Sequence, residues 1–415
     1  MKKQILKYNL LLLVQYAIGA VSPIIFMPMI LHRVGEKEFG VFSVLLSWSI
    51  LASLIVLYAF QLTGPVALSE AKTADEERSV IKQILFAKCI LFFCLLILLA
   101  IFFSFWGVDR VSSAFILLLI IPLSSIFNNP WFFQYRSDFR TNLYINLASA
   151  LSSASLIIFY LSKSVDNSQK FLLPLIFSIN YIVLGLGSFY CLIKRLEIKS
   201  ILFFLVDIKA NMAHAFNMLP SNFALFFSQV IAVSYAISGP IFVDYFSGPE
   251  EAGKYSILEK IVAPIISAGL LTFTASYPKL VEVFQDKRTY RNIILLCVFS
   301  YLSIMVSITV FYFFFENEIN FFIFRNYQNK FLFRVFLVTL FVSFPGAILT
   351  SHYVLSNRPY KMIGFNLLRF FLILFTSLLL VTKLGSAAWV IGLALSNIPV
   401  LIFFADMLAQ LRRVK

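Results

Sequence analysis

Residues 38–45 read Glu-Phe-Gly-Val-Phe-Ser-Val-Leu, and residues 251–258 read Glu-Ala-Gly-Lys-Tyr-Ser-Ile-Leu. The two stretches lie 213 positions apart (251 minus 38) in a chain of 415 residues, so the offset is about half of the chain. Each stretch precedes a long apolar run, and Pro65 at the far end of the first run has a counterpart, Pro278, at the same offset. Repetition at half the chain length indicates a duplicated helical bundle.

The apolar composition places the chain in a membrane. Hydrophobic residues make up 60% of the chain and charged residues 13%, whereas roughly a quarter of the residues in soluble domains are charged. Most of the uncharged runs reach the roughly 20 residues that a helix needs to cross the hydrocarbon core. The sequence therefore predicts an all-α integral membrane protein with about 12 transmembrane helices. The runs are residues 8–31, 39–69, 89–108, 111–135, 141–162, 171–193, 210–243, 261–278, 292–315, 335–357, 370–382 and 384–405.

Lysine and arginine are divided unevenly between the two sides of the predicted membrane. With a cytoplasmic N-terminus, 23 of the 34 lie on the cytoplasmic side, while the 20 acidic residues divide evenly. Because cytoplasmic loops are enriched in Lys and Arg, both termini are predicted to be cytoplasmic. The net charge of +14 then reflects loops that face an anionic leaflet. The basic residues are scattered among loops, so no nucleic-acid partner is expected.

The repeat divides the chain into two six-helix bundles. The predicted boundaries are residues 1–193 for the N-terminal bundle, 194–217 for a cytoplasmic linker and 218–415 for the C-terminal bundle. Six is an even number, so both halves enter the membrane in the same sense. The halves are therefore predicted to be related by an axis along the membrane normal, as a parallel repeat.

Several enzyme classes lack their characteristic motifs here. The sequence has no Gly-x-x-x-x-Gly-Lys-Ser/Thr phosphate loop and no His-Glu-x-x-His zinc motif. The histidines at positions 32, 214 and 352 are isolated, and the four cysteines lie in or at the ends of apolar runs. The outer loops are too short for the catalytic loop of a glycan polymerase. We therefore expect no catalytic residue, no metal site and no cofactor.

Charges inside the membrane are the best candidates for a substrate site, because leaving them in hydrocarbon costs several kcal/mol. Glu259 and Lys260 lie inside the eighth predicted helix. Adjacent helical residues point about 100° apart, so the two side chains face different directions. Either Lys260 faces a central cavity and meets an anionic head group, or both side chains reach the membrane surface.

Four further cations are candidates for the same site. Lys88 and Arg369 are placed about one turn inside their helices at the cytoplasmic end, where extension of the side chain to the surface is the alternative. Arg136 and Arg140 follow the fourth helix, and a helical extension would present them together. A pair of guanidinium groups suits a pyrophosphate, whereas an aromatic belt with cytoplasmic charges is the alternative.

Three segments resemble a known family in their order and spacing. Pro28 and residues 35–42 (Gly-Glu-Lys-Glu-Phe-Gly-Val-Phe) precede the second helix, and residues 131–134 (Trp-Phe-Phe-Gln) end the fourth. Residues 248–255 (Gly-Pro-Glu-Glu-Ala-Gly-Lys-Tyr) lead through Pro264 to Tyr277-Pro278. With twelve predicted helices, the whole chain resembles the bacterial O-antigen flippases of the multidrug, oligosaccharidyl-lipid and polysaccharide exporter superfamily.

The resemblance implies transport without covalent chemistry. The expected cargo is an undecaprenyl-pyrophosphate-linked oligosaccharide, which moves from the inner to the outer leaflet of the bacterial plasma membrane. Cationic groups, Lys260 first, would hold the pyrophosphate, and rocking of the two halves would expose the site to each side in turn. H⁺ or Na⁺ is the expected coupling ion, and a polysaccharide polymerase and a chain-length regulator are candidate partners.

Two related subfamilies match less well. Exporters that exchange drugs for Na⁺ or H⁺ commonly use a carboxylate in the first helix, where residues 8–31 carry no charge. Peptidoglycan-precursor flippases typically have fourteen helices and arginines in the first helix, where this chain has Gln15. An ion-coupled exporter of small amphipathic compounds stays the alternative function, and a membrane-bound glycan polymerase or acyltransferase is a third class.

Overall fold

The computed structural model describes residues 24–106, 112–136, 138–162, 172–198, 208–325, 330–356 and 359–413. All regular structure in these ranges is helical. The helices are α1 (Ile24–Val34), α2 (Glu36–Leu57), α3 (Phe60–Glu70), α4 (Ala74–Trp106), α5 (Ser112–Phe127), α6 (Pro130–Tyr135), α7 (Phe139–Ser162), α8 (Leu172–Arg195), α9 (Ile208–Ile237), α10 (Gly239–Ser247), α11 (Pro249–Glu282), α12 (Lys287–Phe314), α13 (Glu316–Phe324), α14 (Lys330–Val342), α15 (Phe344–Leu355), α16 (Pro359–Leu384), α17 (Ala387–Leu395) and α18 (Asn397–Arg413).

The helices account for the predicted membrane spans. In the described ranges, nine helical stretches are long and apolar enough to cross a membrane, and two shorter apolar helices, Ile24–Val34 and Leu117–Phe133, accompany them. α11 adds 34 residues, about 51 Å at 1.5 Å per residue, although its first half is charged. These twelve stretches correspond to the twelve uncharged runs. The predicted all-α membrane fold is therefore confirmed, while residues 8–23 of the first run, Gln15 among them, lie outside the described residues.

The internal repeat is visible in the backbone at two equivalent helix breaks. Gly35 separates α1 from α2 with φ 85°, and Gly248, 213 positions later, separates α10 from α11 with φ 87°. Both glycines donate their N–H groups to the carbonyl four residues earlier, at 2.8 and 2.9 Å, and both accept from the N–H four residues later, at 3.1 Å. A side chain is disfavoured at this positive φ, which accounts for glycine at both positions.

The second membrane stretch is broken between α2 and α3. Tyr58 and Ala59 have φ values of 41° and 59°, a left-handed conformation that costs about 1–3 kcal/mol at residues other than glycine. Surrounding contacts hold this break in place. The Tyr58 ring stacks on Phe226 with 4.3 Å between centroids, and its hydroxyl donates to the Leu219 carbonyl at 2.7 Å.

The chain forms two compact units. One comprises the described residues of Met1–Val44 and Ser238–Lys415, and the other comprises those of Leu45–Ile237. These units follow packing, so α1 and the start of α2 group with the second half of the sequence. The boundaries at residues 193 and 218, which rest on the repeat, stay a prediction. α9 begins at Ile208 within the predicted linker, and residues 199–207 of that linker lie outside the described residues.

The predicted outer loop before α14 contains a short helix that is tied down by an ion pair. Glu316 begins α13 and accepts two hydrogen bonds from the Arg334 guanidinium, at 2.8 and 3.0 Å. These bonds hold the pKa of the Glu316 carboxyl below its ordinary value. The segment between α12 and α14 is therefore anchored to the first turns of α14.

Candidate functional site

A charged cluster joins the first turns of α2 and α11 within the first unit. The Lys254 ammonium lies 3.5 Å from Glu36, 3.2 Å from Glu250 and 3.0 Å from Glu251. Ser386, which precedes α17, donates to the second oxygen of Glu251 at 2.8 Å. One ammonium therefore neutralises carboxylates from two helices. These charged residues belong to the motifs at residues 35–42 and 248–255, whose spacing along the sequence does not predict that they meet.

Two glycines bring the backbones of α2 and α11 together beside this cluster. A Cβ atom on Gly40 would come within 2.8 Å of the Pro249 carbonyl carbon and 2.9 Å of the Gly253 nitrogen. A Cβ atom on Gly253 would come within 2.9 Å of the Glu36 carbonyl carbon and 3.2 Å of the Gly40 nitrogen. Real Cβ atoms do not approach backbone atoms so closely, so both positions require glycine.

The glycine contact is reciprocal between the two copies of the repeat. Gly40 and Gly253 differ by 213 positions, and so do their contacts Glu36 and Pro249. Gly40 contacts Pro249, and its equivalent Gly253 contacts Glu36, which is the equivalent of Pro249. The contact is therefore reciprocal, as in a two-fold interface. The repeat therefore makes a contact with itself at this point, at the end of the spans that the charge bias assigns to the outside.

Glu259 and Lys260 lie further along α11 in the same unit. Lys260 is eleven residues after Pro249, about 16 Å along the axis, and both side chains are half-buried. Among the described residues, neither side chain forms a hydrogen bond; the two interact electrostatically with each other, and Glu259 also interacts with Tyr255. Charges at this depth require water or a ligand. Of the six predicted site residues, Glu259 and Lys260 are the adjacent pair on α11 to which the described chain supplies no hydrogen bond.

Lys88 is fully buried in the second unit and caps the end of α5. Its ammonium donates to the carbonyls of Ser125 and Asn128 at 3.1 Å and to the Asn129 side-chain oxygen at 2.8 Å. The last carbonyls of a helix have no partner within it, and a cation there also complements the helix dipole. α4 begins at Ala74, so Lys88 lies 14 residues inside the helix rather than one turn. This engagement favours a structural role over contact with substrate.

Arg136 and Arg140 are separated by a break between helices. α6 ends at Tyr135 and α7 begins at Phe139, so the helical extension that would present both arginines on one face does not form. Arg136 forms an ion pair with Glu77 of α4. Asp138 accepts from the N–H and the hydroxyl of Thr141 at the start of α7, at 3.3 and 2.9 Å, which explains the break. Arg140 is exposed on the first turn of α7.

Arg369 is half-buried on α16 in the first unit. One guanidinium nitrogen donates to the Asn397 side chain at 2.9 Å, and the group lies 5.8 Å from the centre of the Phe365 ring. It therefore fixes α16 against the start of α18. Glu259 and Lys260 thus lie together on α11 and Arg369 lies on α16 of the same unit, while Lys88, Arg136 and Arg140 belong to the other unit.

The sequence matches a family and the fold matches solved structures. Residues 5–284, more than half of the chain, match the family described as polysaccharide biosynthesis protein. No curated protein matches the chain by sequence.

Among solved structures, the fold is similar to an inward-facing multidrug resistance MATE family transporter of the MOP superfamily. That likeness has 14% identity and a TM-score of 0.62, and it covers 98% of this chain and 96% of the other. A crystal structure of MATE in complex with MaL6 matches with 12% identity and a TM-score of 0.52, over 100% of this chain and 97% of the other. At these identities the likeness shows a transporter fold.

Proposed function

We propose, since this chain belongs to the family of polysaccharide biosynthesis proteins, that it is a flippase for lipid-linked O-antigen units. The cargo is an undecaprenyl-pyrophosphate-linked oligosaccharide, and it moves from the inner to the outer leaflet of the bacterial plasma membrane by alternating access. Both termini face the cytoplasm, a polysaccharide polymerase and a chain-length regulator act on the product, and H⁺ or Na⁺ drives the cycle. The protein catalyses no covalent step.

The family match carries this proposal when it is joined to the fold. A multi-pass helical protein with a transporter fold contributes to polysaccharide biosynthesis by moving material across the membrane. A glycan is too polar to cross hydrocarbon unaided, because each unpaired hydroxyl costs several kcal/mol there. A lipid-linked precursor with its sugar head group is therefore the cargo that needs such a transporter.

Lys260 is the residue we assign first to the pyrophosphate. Its ammonium is inside the membrane, and among the described residues only the neighbouring Glu259 opposes its charge. A pyrophosphate would supply a further partner for the ammonium. Glu259 would repel the pyrophosphate on release or, with H⁺ as the coupling ion, bind and release that proton.

The first test is deletion of the gene in its host, with surface polysaccharide run on a gel and lipid-linked oligosaccharide assigned to a leaflet. We expect loss of surface glycan, with complete units trapped on the cytoplasmic side. Unchanged glycan, in a strain without a duplicate transporter, would contradict the proposal.

The Lys260→Ala variant tests the site within the same host. We expect surface glycan to fall at least tenfold at normal protein abundance, because an ionic contact to phosphate worth about 1.5–3 kcal/mol is lost. Lys260→Arg should retain part of the activity. Lys279→Ala, which removes an exposed lysine from the last turn of the same helix, is the matched control and should have no effect. Full glycan with Lys260→Ala would remove Lys260 from the site.

The alternative function is an ion-coupled exporter of small amphipathic compounds. Its support is the similarity between the fold of this chain and that of a multidrug resistance transporter. This alternative predicts that the deletion strain becomes more sensitive to cationic drugs while its surface glycan is unchanged. The flippase proposal predicts the reverse, so the same strain separates the two.

A further inference from the structure

An open apolar groove runs between α7 and α8 in the second unit. It has a volume of about 330 Å³, and its walls include Tyr144 and Ile145 on α7 and Gly187 and Tyr190 on α8. The two tyrosine side chains are 66% and 67% exposed. α7 and α8 pack closely at Gly187, where a Cβ atom would lie 3.3 Å from the Ile145 side chain. A large side chain at Gly187 would therefore have to displace Ile145, which forms part of the groove wall.

Two cations stand at one end of this groove. Arg140 precedes Tyr144 by four residues on α7, and Lys194 follows Tyr190 by four residues on α8, so each cation shares a helix face with a tyrosine of the groove. Both cations are exposed. Arg195 lies beside them but is paired with Asp138, so the excess charge at the mouth comes from Arg140 and Lys194. The charge bias of the sequence assigns this end to the cytoplasmic side.

We propose that this groove holds the isoprenoid chain of the lipid-linked cargo, with the pyrophosphate at Arg140 and Lys194. The inference rests on the proposed function and adds a docking place for the substrate at the cytoplasmic leaflet. An apolar groove that ends in two positive charges complements a hydrocarbon chain that ends in two phosphates.

Two features favour an isoprenoid pyrophosphate over the phospholipids of the bilayer. Methyl branches make an isoprenoid wider than a straight acyl chain, and the short side chain of Ala148 leaves room for them at the groove wall. Two separate cations at the mouth match a double phosphate, whereas phosphatidylglycerol offers one phosphate. Guanidinium and ammonium groups both bind phosphate oxygens through charge-assisted hydrogen bonds.

Cys191 lines the groove and provides the test. A variant that keeps only this cysteine, with Cys89, Cys94 and Cys297 replaced by serine, is reconstituted in phosphatidylglycerol vesicles, and the rate of its reaction with N-ethylmaleimide is measured. We expect geranylgeranyl pyrophosphate to slow the reaction at least fivefold. Geranylgeraniol, which lacks the phosphates, and inorganic pyrophosphate, which lacks the chain, should each slow it less than twofold. Equal protection by geranylgeraniol and by its pyrophosphate would overturn the role of the cations, and no protection by either would overturn the groove.

Two sets of variants test the parts of the groove separately. Gly187→Leu forces a large side chain against Ile145 at the groove wall and should abolish protection, while Gly364→Leu, at a helical glycine with open space around it, should leave protection unchanged. Ala148→Leu repeats the test if Gly187→Leu does not yield a monodisperse protein. Arg140→Gln combined with Lys194→Gln should raise the concentration of geranylgeranyl pyrophosphate needed for half protection by at least tenfold.

The outcome is independent of the leaflet assay on the deletion strain. If the deletion traps lipid-linked units inside while Cys191 is never protected, the chain is a flippase that holds the isoprenoid elsewhere, and the groove inference is wrong. If Cys191 is protected by the pyrophosphate while the deletion leaves surface glycan unchanged, the groove binds isoprenoid pyrophosphates but the proposed function fails.

Discussion

Replacing Gly40 by alanine is expected to lower surface glycan at least fivefold while the protein still folds. The new Cβ atom would overlap the Pro249 carbonyl oxygen and lie 2.8 Å from the carbonyl carbon, both of which are backbone atoms that cannot rotate away. The first turns of α2 and α11 would have to separate, at the roughly 1–3 kcal/mol typical of overpacking. That energy corresponds to about a 5- to 150-fold smaller population of the state in which the two helices touch.

Helix propensity works in the opposite direction, which makes the prediction specific. Alanine is favoured over glycine inside a helix by about 1 kcal/mol, so Gly40→Ala would strengthen α2 if the contact did not matter. Gly364→Ala is the matched control, because it has the same propensity gain on α16 and nothing within 4 Å of the new atom. Gly253→Ala should reproduce the loss, since its Cβ atom would overlap the Glu36 carbonyl oxygen. Normal glycan from both Gly40→Ala and Gly253→Ala would show that the contact does not take part in the transport cycle.

The contact also explains why the Lys254 cluster is where it is. Backbones that approach through glycine bring the first turns of two helices together, and both turns carry carboxylates. Glu36, Glu250 and Glu251 would repel one another at this distance without a cation between them. Lys254 supplies that cation and spans the two helices. Steric fit and charge therefore act on the same helix pair.

The repeat could be predicted from the sequence, but its self-contact could not. The offset of 213 positions matched Glu38 with Glu251 and Gly40 with Gly253 as identities along the chain. Which residues of one copy face the other copy depends on how the helices cross, and a sequence does not give crossing geometry. Gly35 and Gly248 also lie 213 positions apart, so the same offset could have predicted equivalent helix breaks with positive φ at these two glycines.

The contacts of the candidate site residues were even harder to predict from the sequence than the contact between the repeats. Lys88 and Lys260 are both candidates because they are charged residues within predicted membrane helices. The structure separates them: Lys88 donates hydrogen bonds to carbonyls at the end of a neighbouring helix, and Lys260 does not. The difference lies in the break at Asn128-Asn129-Pro130, which leaves helix-end carbonyls at the depth of Lys88. The sequence shows the proline but not which cation reaches the carbonyls. For Arg136 and Arg140, the capping of α7 by Asp138 broke the helix on which their pairing depended.

Replacing Lys88 by methionine is expected to destabilise the protein by about 3 kcal/mol. Methionine has a similar length, but it leaves the carbonyls of Ser125 and Asn128 and the side-chain oxygen of Asn129 without a donor. Unsatisfied buried polar groups cost about 1–3 kcal/mol each, and loss of the buried charge offsets part of that sum. Within a membrane span little water is available to replace the ammonium. The melting temperature of the detergent-solubilised protein should fall by on the order of 5 °C or more.

Lys287→Met is the control for this change, because Lys287 is exposed at the start of α12 and its replacement removes the same charge without taking a donor from buried helix-end carbonyls. The melting temperature of that variant should stay within about 1 °C of the original, as is usual for surface substitutions. An unchanged melting temperature for Lys88→Met would mean that another donor satisfies α5 once the lysine is gone. Stability would then not explain a lysine at this buried position. Contact with a pyrophosphate in another state of the transporter would become the leading explanation for Lys88.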